Sequence, residues 1–221
     1  MICLTSPTDD PFLNLALEEH LLRDSADEVF LLWESRPAVV VGKHQNALAE
    51  INHRYVREHG ITVARRLSGG GTVFHGEGNL NFTFIRHGEP GKLVDFRRFI
   101  APITGYLATL GVEAVQGPKN EILVSGKKVS GNAEHVYRNR VLHHGTLLFQ
   151  ADLSVLQESI RVKSGRYIDK AVQSNRSEVM NLNGCLSAPM SPDDFRDGLL
   201  QYVCHSEGGT LEGFDGVDMG K

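Results

Sequence analysis

Three consecutive glycines, Gly69 to Gly71, lie between Arg65-Arg66-Leu67-Ser68 and Thr72-Val73-Phe74-His75, and they constrain this chain more than any other feature. Glycine weakens the interior of a helix or strand, so the run reads as a bend, and the β-branched and aromatic residues beside it read as the strands it joins. Peptide groups without side chains allow a ligand to approach closely, and Arg66, two residues before Ser68, adds fixed positive charge. The run is not a P-loop, because no Lys-Ser or Lys-Thr closes it ahead of a helix, and it is not a dinucleotide fingerprint. The plain structural alternative is a flexible hairpin bend.

Around that bend the chain alternates helical and strand patterns. Asp10-Pro11 reads as an N-cap and first helical position, followed by Phe12, Leu13, Ala16, Leu17 and Leu21 at helical spacing. Val29 to Trp33 and Ala38 to Val41 read as two strands joined by a tight turn. Leu48 to Val56 reads as a helix stopped by Gly60, and Ile61 to Ala64 as a strand. Thr72 to His75 and Leu80 to Ile85 form a hairpin pattern about Gly76-Glu77-Gly78. Phe96, Phe99, Ile100, Ile103, Leu107 and Leu110 make a helical stripe ended by Gly111. Ile122 to Val124, Lys128 to Ser130, Val136 to Arg138 and Gly145 to Phe149 read as a second group of antiparallel strands, with a tight turn at Ser125-Gly126. The expected class is α+β, with mixed, largely antiparallel sheets flanked by helices. The expected division is a main domain over 1–190, then a C-terminal helix and flexible tail over 191–221.

Composition excludes several classes. A net charge of −4 gives no global attraction to nucleic acid, and no apolar run approaches a membrane span. Three cysteines, Cys3, Cys185 and Cys204, have no metal-ligand spacing and do not make a disulfide framework. Met1 to Pro7 carries no secretory pattern, so the cytoplasm is the expected compartment and a monomer the default state.

Two further segments carry chemistry. In Gly126-Lys127-Lys128-Val129-Ser130-Gly131-Asn132-Ala133, strand alternation puts Lys128 and Ser130 on one face and Lys127 and Val129 on the other, so one lysine can point inward. A half-buried lysine beside small residues suits a phosphate or carboxylate, whereas a solvated lysine at a turn is the bland reading. In Leu142-His143-His144-Gly145-Thr146 the neighbouring histidines face opposite ways on a strand and do not readily share an ion. One is expected to line a pocket and the other to be exposed.

Taken together, these segments resemble the lipoate-protein ligase A family of the biotin and lipoate ligase superfamily. The family carries Arg-Arg-x-Ser-Gly-Gly-Gly-x-Val-Phe-His running into Gly-Asn-Leu, then Gly-Lys-Lys-Val-Ser-Gly-x-Ala, then His-His-Gly-Thr-Leu-Leu, and all three occur here in that order. Trp33 with Pro37 to Gly42 and Gln45-Asn46 looks like its early strands. Lys170, Ser174, Val179, Asn181 and Leu182 look like its later pattern, with Ala171 in place of a glycine.

The resemblance implies a two-step ligase. ATP and Mg²⁺ convert lipoate to lipoyl-adenylate, and the lipoyl group then passes to a lysine of a lipoyl domain of 2-oxoacid dehydrogenase complexes or of the glycine cleavage carrier protein. It implies Lys128 as the catalytic residue. It implies an acyl pocket bordered by Arg66, Ser68, Gly69, Gly70, Gly71, His75 and His144. Nucleotide contacts are implied at Thr72, Val73, Phe74, Asn79, Asn120, Lys128, Ser130, Gly131 and Ala133, and a metal near Asn120 and Glu121. This chain has Gly117-Pro118-Lys119-Asn120-Glu121 where the family commonly has Gly-Arg-Asn-Asp. It also has no room for the family's additional C-terminal domain, so a separate accessory protein is an expected partner. The competing readings are an ATP-independent octanoyl or lipoyl transferase working through a cysteine thioester, a non-catalytic lipoyl-adenylate-binding module and, ranked low, a biotin ligase. For the transferase, neither Val115 to Asn120 nor Ile160 to Gly165 supplies a cysteine. Arg65, Lys127, Arg138 and Arg140 are expected to form a positive surface that steers an acidic acceptor.

Overall fold

The computed structural model describes residues 1–89, 91–160, 170–174 and 177–214. In chain order the elements are β1 (Ile2–Thr5), α1 (Pro11–Arg23), β2 (Val29–Trp33), β3 (Ala38–Val41), α2 (Ala47–Glu50), α3 (His53–Glu58), β4 (Thr62–Arg65), β5 (Val73–His75), β6 (Asn79–His87), α4 (Phe96–Thr109), β7 (Ala114–Gln116), β8 (Ile122–Val124), β9 (Lys127–Tyr137), β10 (Arg140–Leu148), α5 (Leu153–Ser159), α6 (Pro192–Ser206) and β11 (Thr210–Leu211). The architecture is α+β. Eight strands form one sheet in the order β11-β1-β2-β6-β10-β9-β8-β7, and β4-β3-β5 form a second, smaller sheet. Pairing is antiparallel except at β11-β1-β2 and β3-β4.

Alternation along β6 shows how the large sheet is covered on both faces. Leu80, Phe82 and Phe84 enter a core with Phe99, Ile103 and Leu107 of α4 and Phe195, Leu199 and Val203 of α6. Ile85 faces the other way, with Leu142, into a core closed by Leu17, Leu21 and Leu22 of α1. Each fully buried Leu or Phe contributes about 1.5–3 kcal/mol by leaving water. The small sheet turns Val39, Val41 and Phe74 outward against Val56 of α3 and Leu156 of α5.

Several elements differ from the sequence expectation. The strands Val29 to Trp33 and Ala38 to Val41 both form, but in different sheets, and so do Val73 to His75 and Asn79 to His87. Neither pair is a hairpin. The expected second group of strands is the continuation of the first sheet, since β10 pairs β6 along its whole length. Lys128 to Ser130 and Val136 to Tyr137 belong to one continuous strand, β9, and Arg138 lies in the turn after it at positive φ. Asp10 does cap α1, accepting from the Phe12 and Leu13 amides, yet Phe12 and Leu13 are 54% and 59% exposed. The buried face is Asn14, Leu17, Glu18, Leu21 and Leu22. The single helix expected at Leu48 to Val56 is two, α2 and α3, separated by Ile51 and Asn52.

The division expected at residue 190 does not separate two cores. α6 shares the core of α4 and β6, the Tyr106 hydroxyl donates to the Phe195 carbonyl at 3.1 Å, and β11 pairs β1. The last part of the expected tail, 215–221, lies outside the described residues. At Ser125-Gly126 both residues have positive φ, 49° and 77°, the two-residue hairpin geometry expected there. Phe84→Ala, which removes a ring packed between β2 and α4, is expected to lower unfolding free energy by about 3–5 kcal/mol in denaturant titration. A loss under about 1 kcal/mol would contradict this account of the core.

Candidate functional site

A cavity lies between the two sheets. From the small sheet it is lined by Val40, Val73 and His75. From the large sheet it is lined by Trp33, Asn81, Thr146, Gly131, His144 and Ala133. The register explains the choice: Trp33 stands opposite Asn81, Asn81 opposite Thr146 and Thr146 opposite Gly131, so four neighbouring strands present one row to one space. Leu15 of α1 closes the side, and Gly70, Gly71, Thr72, Ser174, Lys119, Glu121 and Lys128 complete the wall.

The glycine bend is held by Arg66. Its guanidinium donates to the carbonyls of Gly69 (2.7 Å), Gly71 (2.6 Å) and Val40 (3.1 Å) and to Ser68 Oγ (3.0 Å). Burial lowers its pKa to about 10, which leaves it charged at neutral pH. In a trans peptide the N–H points opposite to the C=O, so turning the Gly71 carbonyl onto Arg66 turns the Thr72 N–H away. That N–H donates to Ser174 Oγ at 2.8 Å, and Gln45 joins Thr72 Oγ1, Ser174 Oγ and the Gly42 amide. Gly42 must be glycine, because a Cβ there would sit 2.2 Å from the Gly70 oxygen. The backbone of Val73 and Phe74 is engaged by β3, and the Phe74 ring packs on the outer side of the small sheet.

Lys128 lines the cavity and crosses Gly131, where an added Cβ would lie 3.0 Å from Nζ. Burial lowers its pKa, and Glu121 opposes that shift. Its backbone is clamped on the other side by Glu178 and Met180, at 2.9 and 3.0 Å. Ser130 is fully buried and Asn132 donates to it at 3.3 Å. Asn120 sits at positive φ, its side chain accepts from Gln116, and it does not line the cavity; nor do Ser68, Gly69, Phe74, Asn79 or Ser130. Glu121 is the carboxylate among the described lining residues, with Oε2 accepting from the Lys119 amide at 2.8 Å. No described group of three or more His, Cys, Asp or Glu could hold a metal by itself. One carboxylate with substrate phosphates is nevertheless a fitting donor set for Mg²⁺, so Glu121 fits that role and Asn120 does not.

The expectation that one of the paired histidines is exposed is corrected: His143 is 0% and His144 8% exposed, because helices cover both faces of the sheet. His143 lies among Phe82, Phe96 and Phe99, with Nδ1 2.9 Å from Glu134, whose pKa burial pushes up to about 7. His144 faces the cavity, with Nε2 2.6 Å from Ser68 Oγ and Nδ1 3.0 Å from Glu18. The Glu18 carboxylate only accepts, so in the neutral imidazole the Nδ1 hydrogen goes to Glu18 and Nε2 accepts from the Ser68 hydroxyl. Glu18 also accepts from Thr83, whose oxygen accepts from Trp33 Nε1 at 3.1 Å.

Sequence reasoning named none of Glu18, Asn81 and Thr83, and Thr146 only as part of the His-His-Gly-Thr motif. A signal for Glu18 existed: it lies one turn from Asn14 and beside Leu17, Leu21 and Leu22 on the buried face of α1. Of the four residues expected to form a positive surface, Arg65, Lys127 and Arg138 are exposed, the last over the Tyr137 ring, and Arg140 is not. Arg65 donates to the carbonyls of Gly42, Lys43 and Gln45, Lys127 pairs with Glu178 at 2.6 Å, and Arg140 is buried against Asp27. Cys3 and Cys204 lie in the α4–α6 core, with the Cys3 thiol pushed up to about 12, and no described thiol lines the cavity. Beyond Ile160, the loop to Gly165 lies outside the described residues.

Comparison with known proteins gives a consistent picture. The family model described as lipoyl protein ligase A/B catalytic domain matches residues 10–204. Lipoate-protein ligase LplJ of Bacillus subtilis is 39% identical over 197 residues, covering 88% of this chain; the chain spans 60% of that relative's length. A crystal structure of lipoate-protein ligase A bound with ATP superposes with a TM-score of 0.78 at 25% identity, covering 96% of this chain and 88% of the other. The bi-partite lipoate protein ligase of Thermoplasma acidophilum, studied with its E2 lipoyl domain, shares the fold at 24% identity and a TM-score of 0.79, covering 96% and 84%. No described helix is long and apolar enough to cross a membrane.

His75 is buried, and burial, followed by the positive charge of Arg66, lowers its pKa from an ordinary 6.5 to about 3. The folded state therefore binds fewer protons than the unfolded one between those values. The associated stability is complete above 6.5 and is lost as pH falls toward 3. The imidazole is expected to remain neutral at pH 5 by nitrogen chemical shift; an imidazolium signal at that pH would contradict its placement.

Proposed function

The chain belongs to the family of lipoyl protein ligase A/B catalytic domains, and on that premise we propose that it forms lipoyl-adenylate from lipoate and ATP and transfers the lipoyl group to a lysine of a lipoyl-carrier domain. The observation that carries this reading is a cavity between the two sheets whose wall combines a half-buried lysine, Lys128, with the apolar side chains of Leu15, Trp33, Val40 and Val73. In the first step a carboxylate oxygen attacks the α-phosphorus and pyrophosphate leaves. In the second an acceptor amine attacks the acyl carbonyl and AMP leaves. Both steps concentrate negative charge where Lys128 faces the cavity, and a preorganised cation in a water-poor site stabilises that charge without rearranging. Gly131 leaves the lysine room, and the Arg66-held bend forms the opposite wall. Mg²⁺, arriving with the nucleotide, would be held by Glu121 and would neutralise phosphate charge.

The acceptors proposed are lipoyl domains of 2-oxoacid dehydrogenase complexes or the glycine cleavage carrier, encountered in the cytoplasm by a monomer, with a separate accessory protein assisting activation. The name of the Bacillus relative and the E2 lipoyl domain studied with the bi-partite Thermoplasma ligase support a lipoyl domain as acceptor. Incubating the chain with an apo lipoyl domain and lipoate plus Mg-ATP, or with synthetic lipoyl-adenylate, separates the steps by acceptor mass. Acylation in both means that this chain carries both steps, and acylation from the adenylate alone means that activation needs the accessory protein. None in either removes the reading.

Lys128→Ala is expected to lower transfer by roughly 10²–10³-fold while circular dichroism stays unchanged; unchanged turnover would remove Lys128 from the mechanism. Glu121 holds the Lys128 pKa up against burial. Glu121→Gln is therefore expected to move the alkaline limb of transfer to lower pH, because the lysine loses its proton earlier. An unmoved limb would uncouple the two groups.

A further inference from the structure

We propose that Asn81, with His75 beside it, selects an acyl group ending in a sulfur-bearing ring, the lipoyl group, over a plain alkyl chain of equal length such as octanoyl; this rests on the ligase reading above. Asn81 is 1% exposed and lines the cavity. Its Oδ1 accepts from Asn79 Nδ2 at 3.1 Å, so the planar amide carries Nδ2 to the opposite side, where no described residue pairs with it. His75 Nδ1, 4% exposed, is equally unpartnered. Trp33 meets His75 edge-on at 5.1 Å and stands opposite Asn81 in the ladder, so the three share one corner of the cavity. Other lining residues from the small sheet and α1, Val40, Val73 and Leu15, are apolar. Two unpaired polar atoms in such a corner are unfavourable until a ligand atom meets them.

The distance suits the far end of the substrate. Lys128 Nζ lies over Gly131, and Gly131, Thr146 and Asn81 stand opposite one another on adjacent strands. Two strand spacings are about 10 Å, so an extended medium-length acyl chain with its carboxyl at Lys128 ends at Asn81. A ring sulfur there is a weak, polarisable acceptor for the amide N–H, whereas a methyl terminus leaves that donor unmet. His144 cannot substitute, because both its nitrogens are engaged, by Ser68 and by Glu18.

Asn81→Thr and Asn81→Val test this as a pair, because both suit a strand and have nearly the same shape but differ in a hydroxyl against a methyl. The readouts are the dissociation constants of lipoate and octanoate by calorimetry, and the ratio of transfer from lipoyl-adenylate and octanoyl-adenylate. The natural chain is expected to favour lipoyl by about 10-fold, the size of one weak buried hydrogen bond. The Thr variant should keep most of that preference and the Val variant should lose it. A Val variant with the natural ratio, or Thr and Val variants that shift equally, would overturn the proposal. A natural chain that binds and transfers both acyl groups alike would overturn it while the ligase reading stands, whereas one that neither binds nor transfers either group removes the ligase reading itself.

Discussion

The guanidinium of Arg66 is the interaction on which the site depends. A buried cation is unfavourable unless its donors are satisfied, and here they are met by three backbone carbonyls and one hydroxyl. The acceptors come from β3 and from the glycine bend, so one side chain ties the small sheet to the loop that walls the cavity. Ser68 extends the tie through His144 to Glu18 on α1. Two sheets and a helix are thereby referenced to a single planar group, which explains why a loop of three glycines is not a loose one.

What was legible in the sequence was local. The Asp10 cap, the α4 stripe with its stop at Gly111 and the Ser125-Gly126 turn depend on neighbouring residues alone, and the structure has them. The motif order pointed to the family and the fold class. The assignment of strands to sheets was not legible, because period-two alternation reports that a strand has a face but not which strand lies beside it. Asn81 and Thr83 illustrate the same limit. Alternation sets them on the face opposite Leu80, Phe82 and Phe84, but it does not tell that Asn81 meets the cavity and Thr83 the Glu18 carboxylate. His143 misled for a related reason, since a sheet covered on both faces has no exposed side.

The sheet order also explains the polarity of the cavity. Apart from Arg66, whose donors are taken up by β3 and the glycine bend, its charged residues, Lys119, Glu121 and Lys128, come from β9 and the segment leading into β8, toward one edge. Trp33 and Asn81 come from β2 and β6 near the middle, where helices exclude water. A ligand that is ionic at one end and oily at the other is oriented by that gradient before any particular contact forms.

The pairing of β1 with β11 has a consequence for synthesis. Ile2 and Cys3 lie opposite Thr210 and Leu211, so one edge of β1 meets its partner only after nearly all of the described chain has emerged. Until then a short apolar strand offers unpaired backbone groups, the kind of edge that recruits other nascent chains. β2 can shelter the other edge early, because it follows closely. Closure of that edge thus waits on a contact between the two strands of the sheet that lie furthest apart in the described sequence.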